Sequence, residues 1–192
     1  MVDAFRQYLD AHGTFTDAER ERIDELTVTK YLKRGEFLLR EGEVCRFRSF
    51  VFAGTLRLYR TDESGVEHIL RFAVENWWLS DLESYSSGLP SKSAIDALED
   101  SRVLLWSREN WTRLTDEIPA LAEMVQRLLA RNLDAHIDRV YSAISDPAEA
   151  RYHAFVESFP DFYQRVPLYM VASFLGVSRE TLSRIRKQTS KR

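Results

Sequence analysis

At Glu117 the sequence changes period, and this change constrains the fold more than any other feature. Upstream, from Val28, short segments rich in Val, Phe, Leu and Tyr are punctuated by Gly35, Gly42, Gly54 and Gly65, a spacing suited to an antiparallel sandwich or barrel. Downstream, residues 117–144 contain no glycine and keep a helical period, with Pro119 where a first helical turn tolerates it. The fold class that follows is α+β.

Strands are predicted at Val28–Lys33, Glu36–Arg40, Arg48–Ala53, Thr55–Arg60, Glu67–Val74, Ala94–Leu98 and Arg102–Ser107. The stretch from Trp77 to Lys92 is polar, contains Ser-Gly-Leu-Pro and breaks the strand rhythm. The first 27 residues read as helical: Phe5, Tyr8 and Leu9 share a face, and Thr16 with Glu19 forms a capping-box pattern before Ile23 and Leu26. Asp146 and Pro147 stop the long helix and start another, in which Ala150, Ala154, Phe155 and Phe159 are expected to pack inward. The expected domains are 1–116 (N-terminal helices and β-domain), 117–145 (long connecting helix) and 146–192 (small helical domain).

Two apolar stripes run along the long helix. Leu121, Val125, Leu128, Asn132 and Ala135 follow alternating steps of four and three, and Leu129, Leu133, Ile137, Val140 and Ile144 form a second row. Two stripes imply two partners, the chain's own β-domain and an identical helix from a second copy. The first stripe is assigned to the homodimer seam.

Residues 168–187 read LYMVASFLGVSRETLSRIRK and fit a helix-turn-helix position by position. Ala172 stands where two crossing helices leave no room for a larger side chain. Gly176 stands in the turn, where a positive φ costs glycine little. Met170, Val171, Leu175, Val177, Leu182 and Ile185 supply the apolar contacts, and Ser178 is a natural N-cap. In this motif the second helix enters the major groove of double-stranded DNA with its N-terminal residues facing the bases. Arg179 and Arg184 can each make a bidentate contact to guanine, and Glu180 can accept from cytosine. Ser178, Thr181, Ser183, Arg186 and Lys187, with Lys191 and Arg192, are assigned to phosphates.

Charge supports the same reading through its distribution. The formal net charge is −3, yet residues 179–192 hold six basic residues against one acidic. No apolar run approaches the ~20 residues of a membrane-spanning helix, and nothing at the N-terminus resembles an export signal, so a cytoplasmic location away from membranes is expected. Cys45 is the single cysteine, which excludes an internal disulfide and a four-cysteine cluster. His12, His68, His136 and His153 are scattered, so neither a metal site nor a cupin-like enzyme is expected. Trp77, Trp78, Trp106 and Trp111 read as core rather than as a ligand pocket with Tyr85.

The residues now in hand resemble the Crp/Fnr family of bacterial transcription regulators over nearly the whole chain. In the β-domain the resemblance rests on Lys33-Arg34-Gly35-Glu36, Glu41-Gly42-Glu43, Gly54-Thr55-Leu56-Arg57-Leu58 and Asp62-Glu63-Ser64-Gly65. Downstream it rests on the run from Gly176 to Ile185. It implies a β-roll or jelly-roll of the cyclic-nucleotide-binding type, a dimerisation helix and a DNA-binding helix-turn-helix, with RNA polymerase among the partners. It also implies base reading by Arg179, Glu180 and Arg184 at half-sites related to TGTGA.

Two departures from the family pattern shape the expectations. The family's nucleotide-phosphate segment corresponds here to Ser80-Asp81-Leu82 and Ser91-Lys92-Ser93, without the glycine, glutamate and arginine of cyclic-AMP binders. An effector pocket is therefore assigned to Ser80, Asp81, Leu82, Tyr85, Ser91, Lys92 and Ser93, with cyclic AMP not its ligand and no cofactor expected. The β-hairpin wing that usually follows the recognition helix is expected to be reduced or absent. The alternative is a small-molecule sensor with a β-roll pocket and vestigial DNA binding.

Overall fold

The computed structural model describes residues 2–159 and 165–189. The chain divides into two compact units, Met1–Arg60 with Arg71–Leu129, and Thr61–Leu70 with Ala130–Arg192. The division falls inside the long helix.

The first unit opens with helices α1 (Val2–His12) and α2 (Asp17–Glu25). The Thr16 hydroxyl accepts from the Glu19 amide at 3.3 Å while the Glu19 carboxylate accepts from the Thr16 amide at 2.7 Å, the capping box expected from sequence. These bonds hold the Glu19 carboxyl below its ordinary range. Eight strands follow: β1 (Val28–Leu32), β2 (Phe37–Leu39), β3 (Phe47–Ala53), β4 (Leu56–Thr61), β5 (Glu67–Ala73), β6 (Trp77–Trp78), β7 (Ala94–Ala97) and β8 (Ser101–Ser107). They form two four-stranded sheets, β1-β8-β3-β6 and β2-β7-β4-β5, whose assigned pairings are antiparallel.

Seven of these strands stand where alternation and glycine spacing put them. The segment 77–92, read only as a break in the strand rhythm, has structure of its own. It holds β6 and helix α3 (Leu82–Ser87), which Asp81 caps by accepting from the Ser84 amide at 3.1 Å and Gly88 ends at φ +74°. Another helix, α4 (Arg108–Glu117), precedes the long helix and is capped by Ser107. The long helix α5 therefore runs Pro119–Ser145 rather than starting at Glu117.

Gly54 makes the tightest backbone approach. It adopts φ +94°, and a Cβ there would come within 2.7 Å of the Ser101 Cα. Side-chain loss at this one position lets β3 turn into β4 beside β8. On the second sheet Arg57 and Asp96 face each other in register and pair through two bonds of 2.8 and 2.9 Å, both residues buried. A buried fork-to-carboxylate pair of this kind fixes strand register by making any slip leave two charges unmatched.

An aromatic core fills the outer face of the first sheet. Phe5, Tyr8, Phe50, Trp106 and Trp111 are buried there, with Trp78 packed against them, so three of the four tryptophans are core as expected. Trp77 is not; it lies on the surface. Leu121 and Met124 are sealed in this cluster, and Val125 and Leu128 pack against it.

That packing reverses the stripe assignment. The row beginning Leu121, Val125, Leu128 covers the chain's own aromatic core, while Leu129, Leu133, Ile137, Val140 and Ile144 stand exposed, from 41 to 82%. Both rows are apolar, and only the anchoring of the helix start under the β-domain decides which is free. Ala135, at the end of the first row, is itself exposed.

The second unit contains α5 from Ala130, α6 (Ala148–Ser158), α7 (Leu168–Leu175), α8 (Arg179–Thr189) and the tip of the β4–β5 hairpin. Phe155 is buried and stacks near Phe159 and Phe174, at 5.1 and 5.6 Å between centroids. The inward side of α6 is otherwise Tyr152; Ala150 and Ala154, expected inside, are exposed. Ser173 on α7 ties the hairpin tip into this unit, donating to the Glu67 carbonyl and accepting from the Ile69 amide at 3.0 Å. The tip is shaped by Asp62, whose carboxylate accepts from the amides of Ser64 and Val66 and pairs with His68 at 2.7 Å. Among the described residues no helix is long and apolar enough to cross a membrane.

Candidate nucleic-acid interface

Helices α7 and α8 are built by the residues singled out in the sequence. Gly176 closes α7 at φ +65°, and a Cβ there would meet only the Arg151 Nη1 at 3.9 Å. The backbone angle, rather than lack of space, therefore calls for glycine. Its turn is held by the Val177 amide donating to the Ala172 carbonyl at 3.0 Å and the Gly176 amide donating to Ser173 at 3.1 Å. Ser178 then caps α8, its hydroxyl accepting from the Thr181 amide at 3.1 Å.

Between the two helices Met170, Val171, Ala172, Leu175, Leu182 and Ile185 are all buried, Leu182 completely; Val177 is half-buried. At roughly 1.5–3 kcal/mol for each large side chain, this small core fixes the angle at which α8 is presented. The opposite side of α8 is polar and open. Arg179, Glu180, Arg184 and Lys187 are exposed together on it, with Thr181 and Ser183 partly covered. Glu180, Ser183, Arg184, Lys187 and Gln188 line one shallow depression, so the sequence-assigned base readers Glu180 and Arg184 share a surface with the phosphate-assigned Ser183 and Lys187. Gln188 was not singled out beforehand, although its step of four from Arg184 signals the shared face.

Hydrogen bonds to its own amide and to the Ser178 hydroxyl lower the Glu180 carboxyl from its ordinary range. The group is thus an ionised acceptor at neutral pH, suited to a cytosine amino group and repelling phosphate. Arg186 is exposed as well. Lys191 and Arg192, assigned to phosphates, lie outside the described residues.

The segments assigned to an effector pocket come together in the first unit, but as a network closed on itself. The Asp81 carboxylate accepts from the Ser91 hydroxyl at 2.5 Å as well as from the Ser84 amide. The Ser91 hydroxyl lies 2.8 Å from the Ser93 carbonyl, and Ser80 accepts from the Ser49 amide at 3.0 Å. Ser80, Asp81, Ser91 and Ser93 are buried, whereas Leu82 and Lys92 are on the surface. Lys92 faces the Glu83 carboxylate at 3.4 Å, and Arg60, which sequence reasoning passed over, reaches the same carboxylate at 3.9 Å and the Ser93 hydroxyl at 3.1 Å. Within this set the buried ionisable group is the Asp81 carboxylate, while the cations Lys92 and Arg60 face Glu83 at the surface.

A separate pocket of about 390 Å³ opens in the same unit, lined mainly by Leu38, Leu39, Val44, Cys45, Phe47 and Leu105. None of the seven residues assigned to an effector lines it. Burial pushes the Cys45 thiol up from its ordinary range, so it is a neutral wall and not a thiolate. Among the described residues no group of three or more His, Cys, Asp or Glu is placed to hold a metal ion.

Comparison with known proteins agrees with this architecture. Residues 29–117 match the family model of the cyclic nucleotide-binding domain. The cyclic AMP receptor protein of Thermus thermophilus is 27% identical over 157 residues, covering 79% of this chain and 72% of that protein. The fumarate and nitrate reduction regulatory protein of Vibrio cholerae is 25% identical over 186 residues, covering 90% and 73%. Among solved structures, FixK2 from Bradyrhizobium japonicum superposes with a TM-score of 0.74 at 18% identity, over 86% of this chain and 85% of that one. With the helix-turn-helix at residues 168–189, these matches show a cyclic nucleotide-binding domain at 29–117 in a chain similar in sequence and fold to transcription regulators of the Crp/Fnr type.

Proposed function

We propose that the protein is a homodimeric, sequence-specific DNA-binding regulator that reads an inverted repeat through α8. The observation that carries this reading is the presentation of α8. Its apolar side is locked on α7 by Leu182 and Ile185, while Arg179, Glu180, Arg184 and Lys187 point outward from a capped N-terminus. Arg184 and Arg179 supply guanine-directed forks, Glu180 a cytosine-directed acceptor, and Lys187 a phosphate contact. The exposed row from Leu129 to Ile144 supports a second copy as the partner of α5, which places two recognition helices on one duplex.

The effector is not cyclic AMP on this reading, because Asp81 and Ser91 satisfy each other where a phosphate would need a cation. RNA polymerase is a further partner, by likeness to the family alone. The protein performs no catalysis in this role and works in the cytoplasm with DNA.

Selection of bound sequences from a random duplex pool tests the proposal. An inverted repeat with half-sites about one helical turn, ~34 Å, apart is expected. Recovery of unrelated sequences, or a single unrepeated motif, overturns it. The sensor alternative finds its support in the 390 Å³ pocket beside Cys45; it predicts ligand binding with no enrichment of any DNA sequence.

A further inference from the structure

The pocket of about 390 Å³ lies between the two sheets. One register pair from each sheet makes its floor: Ser49 opposite Leu105 on β3 and β8, and Leu39 opposite Ile95 on β2 and β7, all four buried. Close packing normally fills such a space with side chains, and the volume falls in the range of small-molecule sites, roughly 300–1,000 Å³. The polar groups of the floor are already engaged. The Ser49 hydroxyl donates to the Leu79 carbonyl, its amide donates to the Ser80 hydroxyl at 3.0 Å, and the Cys45 thiol donates to the Phe47 carbonyl at 3.5 Å.

Charge is confined to the rim. Glu43 and Arg46 both line the pocket and both are exposed. Among the described residues neither takes part in an ion pair, with the other or with a third group. Glu43 is held in place: its carbonyl accepts from the Ser91 amide at 2.8 Å, and its Oε2 accepts from the Arg40 amide at 3.0 Å, which leaves Oε1 open.

Opposite charges on one rim, not neutralising each other above an aliphatic floor, match a ligand that carries both charges at one end and an apolar group at the other. An α-amino acid has that pattern. The Arg46 fork takes the carboxylate, Glu43 takes the ammonium, and the side chain enters between the sheets. A fatty acid would instead leave Glu43 facing a second anion, and an apolar amine would leave Arg46 facing a second cation.

We propose that this pocket binds a free α-amino acid with a large apolar side chain, its carboxylate on Arg46 and its ammonium on Glu43. The site stands independently of DNA reading, since none of its residues belongs to α7 or α8.

L-Phenylalanine serves as the probe, titrated calorimetrically into the full-length protein at neutral pH and fixed ionic strength, without DNA. Phenylpropionate and phenethylamine are its matches, one lacking the ammonium and the other the carboxylate. Saturable binding of phenylalanine is expected, severalfold tighter than that of either match. Arg46→Gln should bring phenylalanine down to the affinity of phenethylamine. Glu43→Gln, which keeps an acceptor for the Arg40 amide, should bring it down to that of phenylpropionate. Methyl resonances locate the ligand, with ring-current shifts expected at Leu39, Ile95 and Leu105 and not along the exposed row of α5. Absence of saturable binding, phenylalanine no tighter than its matches, affinities unchanged in both variants, or shifts confined to α5 would each overturn the proposal, whatever the protein does with DNA.

Discussion

Ile137→Asp tests the corrected assignment of the helix faces. The five exposed side chains Leu129, Leu133, Ile137, Val140 and Ile144 together leave about three whole aliphatic side chains in water per protomer. Covering both copies' rows in a dimer is worth roughly 9–18 kcal/mol gross, at about 1.5–3 kcal/mol per side chain. Association costs about 4–15 kcal/mol, a term of the same size, so the seam has little reserve. Ile137 is 57% exposed, so its loss from both protomers removes roughly 2–3 kcal/mol. Two carboxylates forced into an apolar seam cost several kcal/mol more or keep it open. Dimer dissociation should therefore become at least about 100-fold easier, which corresponds to roughly 2.7 kcal/mol. Sedimentation equilibrium reads this directly, with far-ultraviolet circular dichroism to confirm an intact fold. Leu128→Asp is the contrast: it strikes the chain's own core and should lower the unfolding midpoint. If Ile137→Asp sediments as wild type does, or the wild type is a monomer at micromolar concentration, the free row is not the seam.

Three further predictions concern the β-domain. Gly54→Ala forces a Cβ to within 2.7 Å of the Ser101 Cα at φ +94°, so urea denaturation should show a loss of about 2–6 kcal/mol. Arg57→Met strips the buried Asp96 of its guanidinium and should cost about 3–5 kcal/mol, while Arg57→Met with Asp96→Leu should recover most of it in the same assay. Burial raises the Cys45 thiol, so the folded state favours the neutral form. Its contribution is complete below the ordinary thiol pKa, about 8.5, and falls as pH rises from there toward the raised folded value. Urea midpoints between pH 7 and 10 should accordingly drop more steeply for wild type than for Cys45→Ala.

The legible part of this molecule was carried by residues whose roles are local. Gly176, Ser178 and the Thr16–Glu19 pair act within a turn or a cap, so their spacing already states their geometry. Helix α4 was missed because only Trp111 and Leu114 are buried in its ten residues, although Ser107 offered a capping signal. β6 is two residues long and exists only because Phe50 and Val51 pair with it. The stripes on α5 were visible, yet which one is free depends on where Leu121 and Met124 dock, a tertiary fact that periodicity does not contain.

The most direct test of DNA reading by α8 is a set of binding isotherms for wild type, Arg184→Ala and Lys187→Ala on the selected site. The set includes each single-base variant and a scrambled duplex, at several salt concentrations. Arg184→Ala should lose discrimination at one position of each half-site, by about 1–3 kcal/mol against the wrong base, and keep it elsewhere. Lys187→Ala should weaken binding to every sequence alike and reduce the salt slope by about one. Wild-type protein that binds selected and scrambled duplexes equally at every salt concentration would contradict the account, because the exposed basic face of α8 would then be reading charge alone.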